Sequence, residues 1–173
     1  MDRYWNRYNR RCMANTLSKI HIQVDLDAFA ESSPEVGVVY FDFRDSQFPS
    51  LGWSDFIIII ISWWLNSLFK MIAKNLDIAE LRFMDGPHLI RINRITESEV
   101  ECVCINEKSD LGSIDLVKEE TEFVRNVDFS VLCSELLKTA QNIVCACEER
   151  NYISKDLDKL KESINSFKDI TTH

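Results

Sequence analysis

Histidine, cysteine and paired carboxylates are the residues through which this chain could do chemistry, and it holds three histidines and six cysteines among 173 residues. His21, Asp25 and Asp27 fall on alternate positions of an extended segment, so an imidazole and two carboxylates could share one metal ion and activate a water. That chemistry would be a small metal-dependent hydrolase. The solvent side of any half-buried strand reads the same way, and it is the better account of these positions. Asp25/Asp27 and Asp42/Asp45 are carboxylate pairs of the kind that glycosidases and metal-dependent nucleases use, although such pairs are common on surfaces. His88 follows a turn, where a histidine ordinarily faces a partner or makes a hydrogen bond, and His173 is the last residue.

The cysteines fall at Cys12, Cys102, Cys104, Cys133, Cys145 and Cys147. Zinc sites space their thiolates as Cys-x₂₋₄-Cys, whereas both pairs here are Cys-x-Cys, and on a helix Cys145 and Cys147 would lie about 200° apart. Small apolar filler, reduced in a cytosol, is the expected role. The chain has no G-x-S-x-G elbow, no phosphate-cradling glycine loop and no H-E-x-x-H, and its four glycines leave little material for such loops. A protein without catalytic residues, metal or cofactor is the expectation.

These residues must be positioned by one compact fold, since 46% hydrophobic and 28% charged residues with three prolines describe a single globular domain. The net charge of −8 argues against a nucleic-acid binder and favours basic partners. Met1–Asn15 forms a basic arm through Arg3, Arg7, Arg10 and Arg11 but lacks the apolar core of a secretory signal, so residues 16–173 are read as the domain and the cytoplasm as its location. Ile20–Phe29 and Val36–Arg44 read as an antiparallel strand pair. Phe56–Leu65 is apolar except for Ser62 but about half the length of a membrane span, which predicts a buried helix with Ser54 as its cap and Asp55 in its first turn. Stable membrane association is not expected.

Strand patterns resume around the Met84-Asp85-Gly86-Pro87 turn, continue at Val100–Ile105, and fill Ser113–Val127 in two parts. Asp128 then caps an amphipathic helix through Leu132, Leu136, Ile143 and Cys147, and Ser154 caps another through Leu157, Leu160, Ile164 and Phe167. The predicted class is α+β: an antiparallel meander of about five to six strands packed against a buried central helix and two C-terminal amphipathic helices.

Acid is concentrated between Thr96 and Val127, where nine carboxylates face three cations. Glu97, Glu99 and Glu101 are predicted to share one strand face, with Val100, Cys102 and Cys104 on the other. A carboxylate row repels itself unless it stands in water or meets a basic surface. The segment Phe48-Pro49-x-x-Gly52-Trp53-Ser54-Asp55-Phe56, with Phe83-Met84-Asp85-Gly86-Pro87-His88 beyond the helix, resembles small bacterial immunity proteins that accompany polymorphic toxins, including those of contact-dependent growth inhibition. The resemblance spans mainly residues 40–95. It implies a cytosolic, non-catalytic protein that binds a cognate toxin domain, such as a nuclease, and covers its active site. With the acidity, it makes Glu97, Glu99, Glu101, Glu119, Glu120 and Glu122 the expected toxin-binding residues.

Overall fold

The structure, a computed structural model, describes residues 17–25, 36–109 and 117–171. The basic arm with Cys12, Asp27, Asp110, Asp115 and His173 lie outside them. The described residues form three helices and two four-stranded antiparallel sheets, so the α+β class stands.

The strands divide between two sheets where one meander was expected. In the first, β2 (Val36–Asp42) is central: β1 (His21–Val24) pairs along one side, and the short β3 (Gln47–Phe48) and β4 (Ser54–Phe56) share the other. With both sides of β2 taken, the chain leaves through α1 (Ile57–Ala73) and begins a new sheet. That second sheet is a plain meander of β5 (Ile78–Arg82), β6 (His88–Arg94), β7 (Glu99–Ser109) and β8 (Val117–Asp128). β8 is one strand rather than two. It pairs with β7 throughout, and an irregularity after Cys104 leaves Glu122 as an extra residue, with Cys104 opposite Phe123 and Ile105 opposite Thr121.

Ile20, Ile22, Val39, Phe41 and Phe43 bring apolar faces from the first sheet into the core, as alternation predicts. They meet the inner face of the second sheet through Phe83 and Phe123, with Phe41 and Phe83 edge to face at 6.3 Å and Phe43 and Phe123 at 5.6 Å. Cys102, Cys104, Cys133 and Cys147 are buried free thiols in this core, as expected of filler, whereas Cys145 is exposed against that expectation because it lies on the solvent side of its helix.

Helix α1 forms where the isoleucine run predicts, but not with the predicted start. Ser54 and Asp55 belong to β4, the N-cap is Phe56, and no side chain caps the helix. The Asp55 carboxylate is engaged across the fold instead. No helix among the described residues is long and apolar enough to cross a membrane. Trp64 is fully buried and its Nε1 donates to the Arg82 carbonyl at 2.7 Å, while Ser67 Oγ accepts from the Glu80 amide at 3.2 Å. Two side chains of α1 thus engage the edge of β5 that faces away from β6.

The C-terminal helices begin as their sequences predict. In α2 (Phe129–Glu149), Asp128 Oδ1 accepts from the Ser130 and Val131 amides at 2.8 and 3.2 Å. Before α3 (Lys155–Thr171), Ser154 Oγ accepts from the Leu157 amide at 3.1 Å. The helix α3 packs on α1, where Ser62 and Ser163 share a buried hydroxyl contact at 2.9 Å.

Candidate functional site

The Phe48–Phe56 and Phe83–His88 segments meet in space. Asp55 is 1% exposed, and its carboxylate accepts from three backbone amides: Phe56 at 2.6 Å on its own strand, and Met84 and Asp85 at 3.0 and 3.1 Å on the β5–β6 turn. Gly86 completes that turn at φ +74°, and a Cβ there would stand 2.9 Å from the His88 ring and 3.0 Å from the Trp53 ring. Glycine is required for both backbone and space.

His88 lies edge to face with Trp53 at 4.6 Å, and Phe48 and Phe83 approach the same ring. Its Nδ1 is 2.5 Å from Asn106 Oδ1, which places the proton on Nδ1, and the Asn106 amide donates onward to Glu122. The Trp53 Nε1 is buried with no partner among the described residues. Aromatic packing and a hydrogen-bonded chain therefore link the resemblance motifs to the irregularity in β7–β8. This is the hydrogen-bonded histidine that its place after a turn suggested.

Among the described residues the helices meet the second sheet at β5 and β8, and on its outer face Arg82 and Glu119 remain 48% and 42% exposed. Strand pairing places Glu80, Arg82 and Arg91 on it, with Glu99, Glu101, Glu107, Glu119 and Asp128. Arg91, on β6, reaches over β7 to grip Glu119 on β8 with two bonds of 2.6 and 2.8 Å, and also binds Glu80 at 3.0 Å. Arg82, on β5, reaches over β6 to Glu107 on β7 at 3.0 Å, and holds Glu80 at 2.8 Å. Each guanidinium skips a strand, and the residues beneath, Leu89 and Ile105, are fully buried although they point outward. The Arg91 hydrogen bonds hold the Glu119 carboxyl below its ordinary range, and Glu119 and Glu107 in turn raise Arg91 and Arg82. Six carboxylates against two guanidinium groups leave this face net negative.

Of the expected toxin-binding glutamates only Glu99, Glu101 and Glu119 lie on this face: Glu120, next along β8, points to the other side, Glu122 is the extra residue of the irregularity, and Glu97 is in a turn. Glu97 is exposed in the β6–β7 turn, not on a strand, because Thr96 Oγ1 closes that turn on the Ser98 and Glu99 amides at 3.3 and 3.0 Å. The predicted row of three is therefore a row of two. Glu99 and Glu101 are half-buried and accept from the Asn126 and Asn93 side chains at 2.9 and 3.0 Å. Glu119 belongs to the arginine lattice, Glu120 pairs with Lys108, and Glu122 accepts from Asn106. Lys108 holds the Glu120 carboxyl below its usual range. Sequence reasoning passed over Arg82, Arg91, Asn93, Asn106 and Asn126, the residues that organise this acid. The signal was the same period-2 rule applied across neighbouring strands, not along one.

The residues of the hydrolase reading are placed differently. His21 Nδ1 lies 3.1 Å from Glu135 on α2, and Asp25 follows β1. No group of three or more His, Cys, Asp or Glu among the described residues could hold a metal ion. Asp42 accepts from the Arg44 amide at 2.8 Å, and Asp45 pairs with Arg125 at 3.3 Å, so these carboxylates fasten the β2–β3 turn. The Arg125 hydrogen bond lowers the Asp45 carboxyl below its ordinary value. No protein family, curated protein or solved structure matches the chain.

Proposed function

We propose that the chain is an immunity protein, acting in the bacterial cytoplasm, which binds and neutralises a cognate toxin domain by occluding its active site. The observation that carries this reading is the open, net-negative outer face of the β5–β8 sheet, organised by Arg82 and Arg91 before any partner arrives. A surface whose side chains are already held loses little further freedom on association. Its charge would steer a basic toxin domain and speed encounter. The resemblance of the Phe48–Phe56 and Phe83–His88 segments to immunity proteins adds to this, and their mutual contact through Asp55 gives them a structural role.

The test is co-purification with the toxin domain encoded immediately upstream, followed by titration of single Glu97→Ala, Glu99→Ala and Glu101→Ala variants. A central anchor desolvated on binding costs about 2–5 kcal/mol when truncated, whereas a rim acid changes chiefly the association rate and salt dependence. The expected result is a tight one-to-one complex with slower and less salt-dependent association for Glu97→Ala and a larger affinity loss for Glu101→Ala. Three variants that bind as the parent does would remove the acidic face from the mechanism.

A further inference from the structure

Helix α1 buries Trp64 but presents its neighbour Trp63, which is 47% exposed. Trp63 lies in a groove of about 560 Å³ where α1 meets α3, with Met84 from the β5–β6 turn at 38% exposure beside it. Of the polar groups lining the groove, Ser62, Asn66 and Ser163 are already engaged: Ser62 and Asn66 both bond Ser163 Oγ, at 2.9 and 3.0 Å, and Ser163 Oγ donates to the Lys159 carbonyl at 2.9 Å. Recognition there falls to the indole, the thioether, the Ser166 hydroxyl and the charges around them.

Those charges are segregated along α3. On the groove side stand Asp156, Glu162 and, where the seam continues past Ser166, Asp169. Among the described residues the one cation lining it, Lys159, is held by Asp156 at 3.0 Å. The basic residues Lys161 and Lys168 line the opposite side of α3, toward α2. An exposed indole bordered by carboxylates matches a cation carried on an aliphatic stem: the ring face attracts the charge and the acids complete its pairing.

We infer that the α1–α3 groove is a docking site for a basic segment of a protein partner, with an arginine or lysine stem laid across Trp63 and Met84 and its charge facing Glu162, and a further basic residue of the segment facing Asp169 about two helical turns on. It extends the immunity reading by giving the partner a second contact, and it rests on that reading only in taking the partner to be basic. The footprint joins an exposed aromatic anchor to the electrostatics it shares with the sheet face.

The experiment titrates the isotopically labelled full chain with a synthetic amphipathic leucine–lysine helix and, separately, a leucine–glutamate helix of equal length, following indole N–H signals by NMR. Trp63→Ser assigns the Trp63 signal. The expected result is a saturable shift of that signal with the lysine peptide alone. Affinity should fall about tenfold in Trp63→Ser, and at least as far in Glu162→Lys/Asp169→Lys, with circular dichroism unchanged. No shift at Trp63, or an equal response to the glutamate peptide, overturns the proposal. All three positions are substituted on exposed surface, and if Trp63→Ser unfolds, the charge-reversal variant carries the affinity test alone. Because no toxin is used, a positive titration beside a failed toxin co-purification would count against the immunity reading and leave the groove standing.

Discussion

Replacing Asp55 by alanine removes the acceptor for the Phe56, Met84 and Asp85 amides at one stroke. Each buried donor left without a partner costs about 1–3 kcal/mol. Met84 and Asp85 lie at a turn that water can reach, so their amides recover part of that loss, while the Phe56 amide sits beside the 1%-exposed Asp55 position. Relief from burying a charge offsets a further part. The net expectation is a loss of about 3–4 kcal/mol, which at an urea slope of about 2 kcal/mol/M lowers the midpoint by roughly 1.5–2 M. Asp55→Asn keeps one acceptor oxygen and should lose about half as much. Urea titration followed by far-ultraviolet circular dichroism measures both, and limited proteolysis at Met84–Pro87 reports whether the turn has been freed. A loss below about 1 kcal/mol for the alanine variant, with the turn still protected, would refute the claim that this carboxylate joins the two segments.

Two further outcomes follow from the geometry. Glu119, Glu120, Asp45 and Asp128 are all held below their ordinary carboxyl range by hydrogen bonds from Arg91, Lys108, Arg125 and Ser130 respectively. The unfolded chain therefore binds protons first: the stabilisation is complete above about pH 5 and disappears as pH falls through the folded values, so the thermal midpoint should drop on acidification below about pH 4, and less steeply in Glu119→Gln. Stability that rises on acidification would contradict the lattice. Burial pushes the Cys102 and Cys133 thiols up to about 12, whereas Cys145 is exposed with Glu149 raising it. Among the five described cysteines, native alkylation at pH 8 with peptide mapping should mark Cys145 first, and early labelling of Cys102 would show that the sheet opens.

What the sequence disclosed was local. Ile20 and Ile22 alternate as a strand should, Asp128 and Ser154 cap the helices that follow them, and the isoleucine run is helical. What it hid depended on distant partners. Ser54 and Asp55 look like a helix start because the preceding residues of a helix commonly are Ser and Asp, yet two of the three amides that claim Asp55 lie 29 and 30 positions away. Glu119 looks like a free acid because its cation is 28 residues back, on a strand that is not its neighbour. Glu97 reads as a strand residue only if the turn is placed too early, and the Thr96 hydroxyl fixes it later. The division into two sheets depends on β1, β3 and β4 all pairing with β2 and none with β5 to β8, which no single segment announces.

Ser67 and Trp64 occupy the Glu80 amide and the Arg82 carbonyl on the outer side of β5. A foreign strand arriving on that flank finds those main-chain groups already spoken for, so the templating by which sheets fuse into fibres has no purchase there. Copies of the molecule should remain discrete at high concentration on that side. On that flank, contact with another molecule falls to side chains, where sequence can change without unravelling the backbone ladder beneath.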